Sequence, residues 1–347
     1  MQIAYLTARP DVLAETLVHV RHHMPFVGEV VAVAPSRLTR AVSAVDGVRA
    51  LTDEEVTGAT TAEIEQWDHT TRNFRLRRAM AHHPAIEDHF LMADDDNRPL
   101  QAIDESVFVD GQGRTRNYWF TELDAWNRDE TPFDQGLTHA LLLLRQRGVE
   151  RPLAYASHMP QLIDRALFAR ITDSVADAAD RYPLDEWSVY FNLARHTEAD
   201  RFAPPEPFVT LGWPRFPGEW PHLVPPGGYL FENHHPELYQ PGGLFEGLSS
   251  TLDPATAEAD SLEKAVRWHR FGLAVHRLEF DDGVDNPYTQ GKAHRRAFFR
   301  GTRSLRKVVE YATLGQRHAL TALTGRVRRL EERVDRLDDR GTDDGAD

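Results

Sequence analysis

The segment Phe90–Asn97 (FLMADDDN) joins four apolar residues directly to three carboxylates. A short apolar run bounded by polar residues is typical of a strand that is buried on both faces. The carboxylates then fall where the strand leaves the sheet, and in open α/β sheets ligands bind at that edge. Adjacent acids repel one another unless a cation lies among them, and oxygen ligands suit Mg²⁺ or Mn²⁺ held jointly with substrate phosphates. The segment predicts a metal–diphosphate site at Asp94, Asp95 and Asp96, with an acidic surface turn as the alternative.

An arginine-rich segment precedes this strand and favours the metal site over the turn. Residues 71–80 carry four arginines on a predicted helix, and residues 82–88 connect this helix to the acidic strand. Fixed guanidinium groups beside carboxylates that hold a divalent ion can bind a nucleotide diphosphate.

A strand that ends in three aspartates resembles the metal-binding acidic motif of glycosyltransferases with the GT-A fold. The run from Asn73 to Asp95 also resembles the second conserved region of the Stealth sugar-1-phosphotransferases, in which an Asn-bearing helix leads to an apolar strand and an Asp pair. Residues 157–160 (SHMP) and 185–190 (DEWSVY) are similar to the third region of that family. The resemblance covers residues 70–195, and the first Stealth region has no convincing match near the N-terminus.

These resemblances imply a transferase. The expected fold is α/β and GT-A-like, with a mixed, mainly parallel sheet flanked by helices. The expected cofactor is Mn²⁺ or Mg²⁺, and the expected partners are a nucleotide-sugar donor and a saccharide or lipid-linked acceptor in cell-surface polysaccharide or glycoconjugate synthesis. Asn73 and Arg77 would contact the nucleotide or diphosphate, Asp94 would bind both the donor and the metal, and His158 would contact donor or acceptor.

Three alternatives stay open for the function. A Stealth-type enzyme would transfer the whole sugar-1-phosphate as a capsular polysaccharide phosphotransferase. A non-catalytic carbohydrate-binding protein would retain only a decayed transferase domain. A metal-dependent hydrolase is disfavoured, because the sequence has one dense acidic strand end and no regularly spaced His-Asp set.

Further site residues are predicted outside the acidic strand. Asp185 and Glu186 begin a predicted helix, where carboxylates complement the positive N-terminal turn. One of them, with Glu186 preferred, would take the proton of the acceptor hydroxyl as general base. Trp119 could stack on a sugar, although a place in the core fits it equally well. The resemblance suggests a late histidine, His234 or His235, as metal ligand; His235 is chosen, and a surface turn is the alternative.

Composition limits the possible classes of protein. The 347 residues, 41% of them hydrophobic, suffice for one large α/β domain or two smaller ones. A net charge of −14 gives no general attraction to nucleic acid, and the absence of cysteine excludes disulfides and thiolate chemistry. The N-terminus has no signal-peptide pattern and no apolar run approaches the ~20 residues of a membrane span, so a cytoplasmic protein is predicted. Basic residues within 292–307 suggest contact with the phosphate groups of a lipid-linked acceptor or with the anionic inner face of a membrane.

The order of elements predicts a catalytic domain at residues 1–300. It opens with a β-α-β unit, in which Asp11 caps the helix, and it lacks the glycine loops of dehydrogenases and P-loop kinases. Strands are predicted at 106–111, 116–120 and 153–157, and helices at 133–146, at 161–176 and from about residue 183.

The C-terminal segment 301–340 has the pattern of a coiled coil. Its apolar residues alternate in spacing between three and four, which places valine at two a positions and leucine at every d position: Leu320, Leu323, Val327, Leu330, Val334 and Leu337. This pattern predicts a parallel homodimer, with an amphipathic helix on its own domain as the alternative. Residues 341–347 are predicted to be disordered.

Overall fold

The computed structural model describes residues 1–126, 131–156, 158–212 and 224–276. The chain divides into two compact units. The first comprises Met1–Leu211, Gly228–His234 and Thr251–Glu258, and the second comprises the described parts of Gly212–Gly227, His235–Ser250 and Ala259–Asp347. The predicted coiled coil, the disordered end and the basic segment lie outside the described residues, so the predicted domain boundaries stay predictions.

The described residues form strands and helices in alternation at first and mixed order later. The strands are β1 Gln2–Leu6, β2 Glu29–Ala34, β3 Val48–Thr52, β4 His89–Asp94, β5 Asn97–Pro99, β6 Tyr118–Trp119, β7 Thr121–Glu122, β8 Leu153–Ala154, β9 Gln161–Asp164, β10 Glu206–Pro207, β11 Thr210–Leu211 and β12 Phe231–Asn233. The α-helices are α1 Pro10–His23, α2 Ser36–Ser43, α3 Asp53–Thr57, α4 Thr61–Ile64, α5 His69–Met80, α6 Pro132–Gln146, α7 Arg165–Ser174, α8 Ala176–Ala179, α9 Glu186–Thr197 and α10 Ala257–His276. Within the described part of the chain, no helix is both long and apolar enough to cross a membrane.

The central sheet has five strands in the order β3-β2-β1-β4-β9. The first four are parallel, and β9 joins β4 in the antiparallel sense. This arrangement confirms the predicted mainly parallel sheet flanked by helices. The strand β4 is apolar where it crosses the core, since Phe90, Leu91, Met92 and Ala93 are all buried. The carboxyl ends of β1 and β4 meet at one edge, where Leu6 is in register with Asp94.

A second, three-stranded sheet extends this edge. It has the order β11-β12-β5, and β12 runs antiparallel to β5 with Asn233 opposite Asn97. Because β5 begins three residues after β4 ends, this pairing brings the late segment Phe231–Asn233 beside the acidic turn. Residues 202–243 are dense in proline, glycine and aromatic residues, a composition that predicts a long shaped loop. The short strands β11 and β12 within this range depart from that prediction.

After the acidic strand, one predicted helix is confirmed with a later start and one predicted strand is wrong. The expected helix at 161–176 begins only at Arg165, with Asp164 as its N-cap, because residues 161–164 extend the sheet beside β4. Gln161 holds the chain there, since its side chain exchanges hydrogen bonds with the backbone of Tyr118. The predicted strand at 106–111 is replaced by a 3₁₀ turn, Glu105–Val107, and an isolated bridge from Val109 to Thr115.

Other element boundaries are close to their predictions. The predicted strand at 153–157 is confirmed for Leu153–Ala154, and the strand at 116–120 is confirmed for Tyr118–Trp119. The helices that begin at Pro132 and Glu186 are confirmed, the second with Asp185 as its N-cap. Asp11 does not cap α1, which begins at Pro10 and carries Asp11 in its first turn.

Candidate metal centre

Three side chains with metal-ligating atoms meet at the carboxyl edge of the sheet. Asp94 ends β4, Asp96 lies in the turn to β5, and His158 follows β8. One ligand atom from each of these residues lies within 4.8 Å of the others, and these residues form the metal-ligating group found within the described residues. The sequence singles out all three residues, although it assigns His158 to substrate contact instead of to the metal.

The backbone and the charge state of His158 suit a ligand. Its φ of 49° lies in the left-handed region and is, among the described residues, the one positive φ outside glycine. Such an outlier is a pointer to function when the surrounding structure maintains it. Burial lowers the pKa of His158 although the carboxylates of Asp94 and Asp96 oppose this shift. A neutral imidazole, the form that coordinates metal, is therefore favoured.

Asp95 lies between the two acidic members of this group but has other partners. Its side chain is 4% exposed, accepts a hydrogen bond from Thr7 Oγ1 over 2.6 Å and pairs with Arg9. Its backbone oxygen accepts a hydrogen bond from Thr16 Oγ1 over 2.6 Å. Burial raises the pKa of Asp95 to about 6, although Arg9 and Thr7 favour the charged form. These contacts tie the turn to β1 and α1, while metal ligation by Asp95 stays a prediction.

Asp96 is oriented from three directions. Its Oδ1 accepts hydrogen bonds from Asn97 Nδ2 over 3.1 Å and from Asn233 Nδ2 over 2.7 Å, and its Oδ2 accepts one from Arg9 Nη2 over 2.7 Å. Its backbone oxygen accepts from the amide of His234 over 2.8 Å. The late segment thus contributes an asparagine to the acidic turn. His235, which belongs to the second unit, keeps its metal role only as a prediction.

Arg77 lies buried beneath the acidic edge. Its side chain is 1% exposed, pairs with Asp94 and donates from Nη1 to Glu186 Oε1 over 2.6 Å. The guanidinium also lies over the ring of Trp187, 4.4 Å from the ring centroid. Burial would by itself raise the pKa of Asp94, but the charge and hydrogen bond of Arg77, together with the nearby His158 and His69, outweigh burial and the pKa is lowered. Asp94 therefore stays ionised and available to a cation.

The two predicted general bases are both buried at the start of α9. Burial raises the pKa of Glu186 to about 8, with Arg77 opposing and Asp185 adding to the shift. Asp185 accepts a hydrogen bond from the amide of Ser188 over 2.7 Å, and burial raises its pKa as well. Asp185 is thus the N-cap of α9, and Glu186 accepts a hydrogen bond from the guanidinium of Arg77.

Asn73 and Trp119 lie on different elements. Asn73 is one helical turn before Arg77 on α5, and its Nδ2 lies 3.2 Å from His69 Nε2. His69, Asn73 and Arg77 follow one another at intervals of four residues and so share a face of α5. Trp119 is half-buried in β6, which pairs with β10.

Sequence reasoning misses Arg9, Asn97 and Asn233, although all three contact the acidic turn. A signal for Arg9 exists, because it follows the first strand of a β-α-β unit and parallel neighbours end at one edge. Asn233 has no such signal, since only the pairing of β12 with β5 brings it near.

Comparison with known proteins yields structural matches alone. No family model matches the chain, and a search of curated proteins gives no relative. The solved structures that match include the galactosyltransferase LgtC in complex with donor and acceptor sugar analogues, at 11% identity and a TM-score of 0.39, covering 75% of this chain and 95% of that one. They also include mouse xyloside xylosyltransferase 1 in its apo form, at 11% identity and a TM-score of 0.41, covering 68% and 97% of the two chains.

An active-site mutant of LgtC also matches, at 11% identity and a TM-score of 0.37. All three are glycosyltransferases, the class whose acidic motif this sequence resembles.

Proposed function

We propose that this chain is a metal-dependent glycosyltransferase that uses a nucleotide-sugar donor. The observation that supports it is the group of Asp94, Asp96 and His158 at the carboxyl edge of the parallel strands. Two carboxylates and a neutral imidazole are a fitting donor set for Mn²⁺, and carboxylates also suit Mg²⁺. Arg9 and Arg77 place a guanidinium on either side, which suits a substrate that brings negative charge to the ion.

A divalent ion held at this group would neutralise the charge that develops on the departing nucleoside diphosphate. The protein side chains have separate tasks. Arg77 orients Asp94 and keeps it ionised, while Asn97 and Asn233 orient Asp96. Glu186, whose raised pKa keeps its proton at neutral pH, acts in the free protein as the partner of Arg77.

Several finer assignments rest on the sequence and stay predictions. They are the general-base role of Glu186 or Asp185, donor contacts by Asn73 and Trp119, and metal ligation by His235. The saccharide or lipid-linked acceptor, the homodimer, the membrane contact and the cytoplasmic location belong with them.

The experiment that tests the function is a thermal-shift screen of nucleoside diphosphates and nucleotide sugars, with and without Mn²⁺. Ligands that bind only the folded protein raise its melting temperature. We expect one nucleotide series to do so only when Mn²⁺ is present, and Asp94→Asn and Asp96→Asn to abolish the shift. Asp46→Asn is the matched control, because its carboxylate is 94% exposed and pairs with Arg21.

Persistence of the shift in both site variants would refute the metal-dependent proposal. A shift with free sugars alone, unaffected by Mn²⁺, would favour the non-catalytic carbohydrate-binding alternative.

One observation supports transfer of sugar-1-phosphate as a second candidate. Asp94 and His158, which come from the segments that resemble the second and third Stealth regions, lie in the same metal-ligating group. Product analysis separates the two reactions. Attack of the acceptor oxygen on the anomeric carbon releases the nucleoside diphosphate, whereas attack on phosphorus releases the nucleoside monophosphate.

A further inference from the structure

The acidic edge carries a cation of its own in the free protein. Arg9 follows β1, and its guanidinium pairs with Asp95 and donates to Asp96 Oδ2 over 2.7 Å. Asp96 Oδ1 already accepts from Asn97 and Asn233. The oxygen that Arg9 contacts is therefore the one with the fewest other partners, and a metal ion at the group would compete for it.

Arg9 is placed so that it can leave these carboxylates. Its side chain is 48% exposed, whereas that of Arg77 on the other side of the edge is 1% exposed. Half-exposed ion pairs are weakly held because water compensates for the lost contact. The planar guanidinium fork also matches phosphate oxygens as well as it matches carboxylates.

We propose that Arg9 is a phosphate-binding residue. In the free protein its guanidinium instead forms hydrogen bonds with Asp95 and Asp96, two carboxylates at the metal site. It competes there with the metal until a nucleoside diphosphate arrives. This inference rests on the proposed function. When the diphosphate binds, Arg9 transfers its hydrogen bonds from Asp95 and Asp96 to phosphate oxygens, and Asp96 becomes free to ligate the ion. Metal and nucleotide consequently bind cooperatively. Nucleotide binding moves Arg9 away from Asp96 and so favours the metal, and metal binding at Asp96 releases Arg9 for the phosphates.

The proposal predicts an unusual sign for one substitution. Loss of a supporting hydrogen bond to a metal ligand ordinarily weakens metal binding. Arg9→Gln instead removes a competitor, so it should tighten the binding of Mn²⁺ alone. A role in merely holding Asp96 in place predicts the opposite sign.

The test is a titration of the full chain with Mn²⁺ alone, followed by calorimetry or by electron paramagnetic resonance of free Mn²⁺. It is then repeated with the nucleoside diphosphate that gives the largest thermal shift. In the unsubstituted protein we expect the nucleotide to tighten Mn²⁺ binding by about 5- to 150-fold, the usual range of site coupling. In Arg9→Gln we expect Mn²⁺ alone to bind about fivefold tighter or more, and the gain from nucleotide to shrink by the same factor.

Two further variants control the test. Arg9→Lys keeps the charge without the fork and should shift Mn²⁺ affinity in the same direction by less, so it decides the matter if Arg9→Gln does not fold. Arg21→Gln removes another arginine of similar exposure, 44%, which pairs with Asp46 away from the acidic turn, and should change neither quantity.

Equal or weaker binding of Mn²⁺ in the Arg9 variants would overturn this inference while leaving the proposed function intact, provided that metal and nucleotide still bind. Failure of the unsubstituted protein to bind Mn²⁺ with any nucleotide would overturn the proposed function, and the inference with it.

Discussion

Two arginines flank the same acidic edge, and their surroundings differ in a way that separates scaffold from ligand site. Arg77 is buried between Asp94, Glu186 and the ring of Trp187, so it cannot leave without exposing buried charge. Arg9 contacts Asp95 and Asp96 from a half-exposed position. Arg77 is thus enclosed by partners beneath Asp94, whereas Arg9 beside Asp96 is open to solvent and can exchange partners under the proposal above.

Arg77→Gln should cause the largest loss of stability among these variants. The substitution leaves the Asp94 carboxylate without its cation and the protonated Glu186 carboxyl without its hydrogen-bond donor. Removing one partner of a buried ion pair in this way costs about 3–5 kcal/mol of unfolding free energy. Urea denaturation measures it. The control is Glu186→Gln combined with Arg77→Gln, which should recover part of the loss, because the orphaned carboxyl is removed. A loss below about 1 kcal/mol, the range of exposed pairs, would contradict this description of Arg77.

Gly136→Ala tests the packing that supports the buried side. A Cβ at Gly136 in α6 would lie 2.8 Å from Thr70 Cγ2 and 3.4 Å from the amide nitrogen of Asp185. We expect a loss of about 1–3 kcal/mol from overpacking, measured by urea denaturation. Thr70→Ser removes the clashing methyl group, so the double variant should regain stability. If Gly136→Ala is as stable as the parent, the close approach of α5 to α6 at this point is refuted.

The pH dependence of stability sharpens the description of Glu186. Its pKa is about 8 in the folded protein against 4.5 for an unperturbed glutamic acid, so the folded state holds a proton that the unfolded state releases. This contribution is fully present below pH 4.5 and is lost as pH rises through about 8. Glu186→Gln mimics the protonated carboxyl and has no proton to release, so it keeps this contribution to stability at every pH.

The melting temperature of metal-free Glu186→Gln, relative to that of the parent, should therefore rise across this interval of pH. Glu65→Gln, the same substitution at an exposed position, serves as the control and should run parallel to the parent. A constant difference between Glu186→Gln and the parent would mean that Glu186 is ionised throughout.

The smallest expected effect belongs to Arg9→Gln without metal or nucleotide. Because Arg9 is half exposed and Asp95 keeps its hydrogen bond from Thr7, the loss should be about 1 kcal/mol or less. Urea denaturation of Arg9→Gln and Arg77→Gln under the same conditions compares the two losses of unfolding free energy. Equal losses in the two variants would remove the contrast between them.

Local sequence was enough to locate the acidic strand and much of the first unit. The apolar run before Asp94 predicts a buried strand, because an uninterrupted apolar run can be recognised without knowledge of the rest of the chain. The acidic residues at its N-terminus likewise predict the helix that begins at Glu186. By contrast, the strand Gln161–Asp164 was predicted as helix, because its pairing with β4 overrides local preference.

The sequence by itself determined the mainly parallel α/β sheet, the acidic end of β4 and the candidacy of Asp94, Asp96 and His158. Only the tertiary structure decided that these three lie together, that Asp95 turns to β1, and that Arg9 and Asn233 contact the turn. The reason is physical: apolar patterns and helix caps are properties of neighbouring residues in the chain, whereas a site at a sheet edge is assembled by strand pairing between distant segments. Asn233 and Asp96 are 137 residues apart in sequence, yet they share one hydrogen bond.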